Sequence, residues 1–172
     1  MSLHLAITDA RFTAASIFGR AMQGRLVPVA EYLGDITTVW YEHLDPVWRS
    51  APIAIGGLTT AGTLFCLERL AWGHGMRLIY RGTHCYHPGG GTQHLLESTI
   101  GDDPVILDAI AEEGAWSAQI ADLVLNLASA MPARPLQRRS LCSMTYSKDG
   151  LGGGTEGPIL TSWLIAPRGR LE

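Results

Sequence analysis

Short apolar runs alternate with stretches whose apolar residues recur every three to four positions, and this alternation organises the first half of the chain. Residues 3–8 (Leu-His-Leu-Ala-Ile-Thr) form a compact apolar run ending at Asp9, which predicts a first strand. A helix follows, with Ala14, Ala15, Ile17, Phe18 and Met22 on its apolar face and Gly24 placed to stop it. Residues 26–33 predict a second strand, at an edge because of Pro28. Asp35 is placed to cap a helix over 36–44, which Asp45-Pro46 breaks or restarts near Trp48. Trp40, Leu44 and Trp48, four apart, form a core stripe if that proline is accommodated. Residues 53–55 predict a third strand. A helix over 61–72 carries Leu64, Leu67, Leu70 and Ala71 and closes at Gly73-His-Gly75, and residues 76–81 predict a fourth strand.

Strands and helices alternating through short connections imply parallel pairing with right-handed crossovers. The expected fold class is therefore α/β, a Rossmann-like or flavodoxin-like three-layer open sheet with four parallel strands in the order 2-1-3-4. At 172 residues the chain fits a single domain. Residues 1–81 would form a βαβ half-sheet. Residues 82–172 would contribute a histidine- and glycine-rich loop over 83–99, helices over 105–110 and 116–127, and a C-terminal antiparallel pair over 143–147 and 159–166. Asp103-Pro104 opens the first of those helices, and Trp116, Ile120, Leu123, Val124 and Leu127 give the second a buried stripe. Between the last two strands lies a wide loop containing Gly152-Gly-Gly154.

Composition narrows the classes of function. Charged residues make up 17% of the chain against a usual ~25%, and five tryptophans are present, so part of the surface is expected to pack against another copy. The net charge is −3 with acids and bases interspersed, and no polybasic block argues for nucleic acid. No apolar run approaches the ~20 residues of a membrane span, and no basic-then-apolar leader opens the chain. Cys66, Cys85 and Cys142 are odd in number and widely spaced, as suits reduced thiols in the cytoplasm, and Cys66 reads as a core residue.

Three constellations could carry chemistry. The first is the junction Gly56-Gly57-Leu-Thr59-Thr60-Ala-Gly62-Thr63, where glycines permit a sharp turn and close approach to the main chain. Its threonine hydroxyls, beside a helix N-terminus, suit a small anion. The simpler reading is a tight turn with a threonine cap. The pattern is neither Gly-x-Gly-x-x-Gly nor a phosphate loop with its lysine, so no cofactor is specified. The second is Asp9-Ala-Arg11 after the first strand, where Asp9 could orient a hydroxyl or amine and Arg11 could pair with an anion, against the plainer role of helix cap and solvated cation. The third is Arg81 with His84, Cys85, His87 and His94. Arg81 is a natural anion partner, His84 a potential general base or ligand contact, and the four His/Cys residues a potential metal set. Main-chain or subunit contacts are the simpler account of those histidines.

If the strand order holds, the tips after strands 1, 3 and 4 share one crevice, and Asp9, Arg11, Gly56, Gly57, Thr59, Thr60, Thr63, Arg81 and His84 line it. The expected function is then binding of a small, anionic molecule. The alternatives are a self-associating assembly subunit without an active site, and a metal-dependent enzyme built on the histidine loop. No Gly-x-Ser-x-Gly elbow follows a strand, which argues against a nucleophilic hydrolase of that design.

Overall fold

The computed structural model describes residues 2–86, 92–98, 116–130 and 159–167, together with the backbone of 139–145. In chain order the elements are β1 (Leu5–Asp9), α1 (Thr13–Gly24), β2 (Val29–Tyr32), α2 (Thr37–Val39), a π-helical turn (Trp40–Leu44), α3 (Asp45–Ser50), β3 (Ile55–Thr60), α4 (Ala61–Gly73), β4 (Met76–Tyr86), β5 (Thr92–Ser98), α5 (Trp116–Ala130), β6 (Arg139–Thr145) and β7 (Leu160–Pro167). The expected helix over 105–110 and the glycine loop before residue 159 lie outside the described residues.

The fold is α/β, as expected, but the sheet is mixed. Its seven strands run in the order β2-β1-β3-β7-β4-β5-β6. β1 pairs in parallel with both β2 and β3, and every other pairing is antiparallel. Three strands, not four, form the parallel block. The last strand of the chain inserts between β3 and β4, so the order 2-1-3-4 fails and residues 1–81 do not make a contiguous half-sheet. β7 and β6 do not pair with each other either: β7 is central, and β6 joins through β5. The unbroken burial of β7 explains this placement. Leu160 through Ala166 are all buried, and a strand buried on both faces belongs inside a sheet.

Helices cover both faces. On one, α1 and α5 pack against Ala6, Leu58, Tyr80, Leu96, Leu160 and Leu164. On the other, α2 to α4 pack against Ile7, Tyr32, Ile55, Trp163 and Ile165. The stripe of α5 is as expected, with Ile120, Leu123, Val124 and Leu127 buried. Asp35 does cap, accepting the Thr37 N–H at 2.9 Å. Pro46 is accommodated by the π turn ahead of it: its ring would crowd the carbonyl four residues back, and the Asp45 N–H instead reaches the Trp40 carbonyl. Trp48 and Leu44 are buried, with Trp40 edge-on against Trp48 at 6.0 Å between centroids. Cys66 is exposed, against expectation, because Leu64, Leu67 and Ala71 set the inward face of α4 and residue 66 lies well off it.

Two departures decide where polar groups fall. β3 runs to Thr60, so Gly56 and Gly57 lie inside a strand rather than in a turn. β4 runs to Tyr86 and folds back on β5, so the expected histidine loop is largely a hairpin with His84 opposite His94. A register shift between Leu78 and Tyr80 marks a bulge at Ile79. Leu78 is level with Ile165 and Tyr80 with Leu164, neighbours that face opposite sides of the sheet. One extra residue has thus turned Tyr80, Gly82 and His84 toward α5.

Candidate functional site

β1 and β3 are adjacent parallel strands whose outgoing helices, α1 and α4, lie on opposite faces of the sheet. That is a topological switch point, where the carboxyl ends of the strands leave a crevice between diverging connections. Asp9 ends β1 and is fully buried. Arg11 clamps it with a two-pronged fork, Nε donating to Oδ1 at 2.9 Å and Nη2 to Oδ2 at 2.6 Å, and the Arg11 main-chain N–H adds a longer bond to Oδ1 at 3.3 Å. Burial alone would raise the Asp9 carboxyl, but this fork and the neighbouring Tyr32 hydroxyl hold it below the usual carboxylate value. The Arg11 side chain remains 47% exposed. Its guanidinium lies over Gly34, where an added Cβ would come within 3.1 Å of Nη1 and where φ is +82°. The backbone there favours glycine, and a Cβ would press on the guanidinium.

The floor continues through hydroxyls. Tyr32, at the end of β2 and level with Asp9, donates to Thr63 Oγ1 at 2.8 Å. Thr63 Oγ1 lies 3.2 Å from Thr60 Oγ1, and Thr60 caps α4 by accepting the Thr63 N–H at 3.4 Å. Asp9, Tyr32, Thr63 and Thr60 therefore connect the end of β1 to the first turn of α4, whose earliest N–H groups have no partner within the helix. Gly62 in that turn has open space beside it.

Of the expected site residues, Asp9, Arg11, Thr60 and Thr63 come together here. The others are placed elsewhere. Thr59 is buried and accepts the Trp163 Nε1–H at 2.9 Å, a core role. Gly56 and Gly57 serve packing: a Cβ on Gly56 would meet Val124 at 2.8 Å, and one on Gly57 would meet Trp163 at 2.6 Å and collide with the Ile7 carbonyl oxygen. Arg81 is in mid-strand, level with Trp163, and pairs with Glu68 of α4 at 3.3 Å. His84 is on the opposite face of the sheet. β7 separates the tips of β3 and β4, and the bulge in β4 reverses the orientation of His84. The single shared crevice is thus two separate polar regions.

The second region is buried beneath α5. His84 Nδ1 lies 2.6 Å from His94 Nδ1, His84 Nε2 lies 2.8 Å from Ser162 Oγ, and Tyr80 OH lies 2.9 Å from the same oxygen. The Trp116 ring stands over both imidazoles at 4.7 and 5.1 Å between centroids. Burial, with the neighbouring His94 adding to it, lowers His84 well below the ordinary histidine value, and burial lowers His94 to about 4. Both rings are neutral at pH 7. Of the expected metal set, His84 and His94 meet, Cys85 points to the other face by strand alternation, and His87 lies outside the described residues. Among the described residues no three metal-ligating side chains converge.

Sequence reasoning missed Tyr32, Tyr80, Trp116 and Ser162. Tyr32 was within reach, since it ends a strand beside β1. The other three had no local signal, because Ser162 meets His84 across 78 residues of chain. Among the described residues no helix is long and apolar enough to cross a membrane. Compared with known proteins, the chain matches no family model, no curated protein and no solved structure.

Proposed function

We propose that this α/β domain binds a small anionic molecule in the crevice between the carboxyl ends of β1 and β3. The observation that carries the reading is the buried Asp9 clamped by a half-exposed Arg11 at a topological switch point. Arg11 has five N–H donors, and the fork to Asp9 uses only two, leaving the rest to face a ligand. Asp9 fixes the guanidinium in advance, so binding costs little side-chain entropy. The first turn of α4 adds partial positive charge and free N–H groups, while Thr60 lines the approach. Asp9 cancels the formal charge of Arg11, so selectivity rests on planar hydrogen bonding, which suits a carboxylate or phosphate.

A thermal-shift series with phosphate, nucleotides and carboxylates tests this. A ligand at 100 times its Kd stabilises by ~2.7 kcal/mol, a rise of roughly 5–11 °C for a domain of this size. Arg11→Ala should abolish the rise and Thr60→Ala should weaken it. A shift that survives Arg11→Ala places the site elsewhere, and no shift with any anion ends the proposal.

One observation favours self-association as a second reading. Phe65 and Trp72 on the outer face of α4 are 57% and 46% exposed, with the Arg69 guanidinium over both rings at 5.0 and 4.4 Å. A second copy of the chain is the occupant this reading names, and light scattering on wild type and Trp72→Glu tests it. A monomer at high concentration removes it.

A further inference from the structure

The geometry points to a second, independent site: we propose that Ser162 is an acyl-accepting nucleophile, with His84 as its base and His94 holding that base in position. The site is on the opposite face of the sheet from the β1/β3 crevice and does not depend on it.

Four polar groups in a row, Tyr80 OH, Ser162 Oγ, His84 and His94 Nδ1, are joined by three short contacts and are almost wholly removed from water. With both imidazoles neutral, more than one proton arrangement satisfies these contacts, and the reactive one makes Ser162 the donor to His84. Tyr80 donates to Ser162, Ser162 donates to His84 Nε2, and His84 Nδ1–H donates to His94 Nδ1. In that orientation the Ser162 proton already points at an unprotonated ring nitrogen, and a third group fixes the tautomer of that ring. Nucleophile, base and orienting group within hydrogen-bond reach are the geometric signature of an activated hydroxyl. It arises here from one strand and a hairpin, which is why no elbow motif announces it.

Two further features show that the arrangement is built. The bulge at Ile79 turns Tyr80 and His84 onto this face. Gly82, between them, leaves the space the hydroxyls occupy, since a Cβ there would lie 2.5 Å from both Ser162 Oγ and Tyr80 OH. The flanking residues Leu58, Leu96 and Leu160 are apolar, which suits an uncharged acyl group. Trp116, the first residue of α5, is only partly buried and its ring packs against both imidazoles, so shortening it opens space beside them.

The class of reaction is ester hydrolysis. Ser162 Oγ bonds to the ester carbonyl carbon as its proton passes to His84 Nε2, and Tyr80 O–H turns to the developing oxyanion. The carbon–oxygen bond to the alcohol then breaks, and His84 returns the proton to the departing oxygen. Water attacks the acyl-serine, gives its proton to His84, and Ser162 recovers it as the acid leaves. His94 is neutral rather than anionic and gives the imidazolium little electrostatic support, so turnover is slow and stoichiometric labelling is the sensitive readout.

The test uses a small alkyl fluorophosphonate on the full chain, with the adduct located by peptide mass spectrometry. The expected result is one phosphonyl group on Ser162 with release of fluoride. Labelling should be faster in Trp116→Ala and at least about 100-fold slower in His84→Ala. His94→Leu should slow labelling, and His94→Asn, which restores an acceptor for His84 Nδ1–H, should recover it. A purely structural histidine pair would not produce that recovery. Circular dichroism confirms that each variant folds, and the wild-type peptide map decides the matter even where one does not. Absence of a Ser162 adduct in both wild type and Trp116→Ala overturns the proposal, as does labelling of His84→Ala at the wild-type rate.

Discussion

Replacing Gly57 with alanine separates the two roles open to this glycine, close approach by a ligand or close approach by the protein's own core. Gly57 is level with Ile7 on one side and Trp163 on the other, in the middle of the sheet. A Cβ there would sit 2.6 Å from Trp163 Cζ2 and 2.9 Å from Cε2, besides striking the Ile7 carbonyl oxygen. The carbonyl belongs to a paired strand and cannot withdraw without loss of ladder bonds. The indole cannot tilt away without releasing its Nε1–H bond to Thr59 and opening a gap beside Ile55 and Ile165. Overpacking costs typically 1–3 kcal/mol, and a forced break of the indole bond adds roughly 1 kcal/mol. Gly57→Ala should therefore destabilise by about 3–4 kcal/mol, lowering Tm by roughly 6–16 °C. Gly62→Ala is the matched control, since nothing lies within 4 Å of its added Cβ. There alanine should be neutral or stabilise the helix by up to ~1 kcal/mol. Thermal unfolding followed by tryptophan fluorescence measures both variants. If Gly57→Ala melts within 2 °C of wild type, the packing account is wrong.

Acid should weaken the fold in two separable windows. His84 and His94 have folded values below the unfolded 6.5, so their contribution is complete above that pH and falls as the unfolded chain takes up protons below it. For His94 alone the loss between pH 6.5 and about 4 is on the order of 3 kcal/mol. Asp9, depressed below 3.8, contributes fully above that value and loses its contribution as pH falls further. A urea midpoint that stays constant from pH 7.5 to 5 contradicts the buried neutral pair, and so does a fall that persists in the His84→Leu/His94→Leu variant. Exposed Cys66 should react with a thiol reagent in the native state, and protection of it until unfolding would contradict its outward placement on α4. A chain ending at residue 158 should fail to fold, because β3 and β4 would lose their common partner; a cooperative unfolding transition in that fragment would contradict the central role of β7.

The parts of the fold legible in sequence are those set by local chemistry. The stop of α4 at Gly75, which has φ of +71°, the Asp35 cap and the apolar stripe of α5 each follow from residues within one or two turns. The switch-point pair Asp9 and Arg11 was equally accessible, since it needs only β1 beside β3. Strand partners were not accessible. The run from residue 159 to 166 carries the same apolar pattern whether its strand pairs with β6 or enters between β3 and β4, and sequence distance favours the nearer strand. Gly56 and Gly57 misled for a related reason. Glycine beside threonine suggests a turn when only the chain is in view, whereas here it admits a tryptophan contributed by residue 163. The bulge at Ile79 carries no composition cue, yet it reverses every side chain after it.

β7 ties these points together and explains why the polar chemistry divides in two. Its side chains alternate between faces, so Thr161 and Trp163 join the α4 side while Ser162 joins the α5 side. Trp163 fills the groove over Gly57 and supports Thr59, next in the chain to the cap residue of α4 at the crevice. Ser162 reaches His84 and Tyr80 on the other side. Consecutive residues of one strand thus brace the β1/β3 crevice and supply the hydroxyl of the buried polar chain. A register slip of one residue would exchange these environments, placing an indole among the histidines and a serine over Gly57. Selection of that register cannot come from polar contacts alone, which are worth about 1 kcal/mol each. The seating of Trp163, the largest fully buried side chain among the described residues, over Gly57 favours the observed register as well.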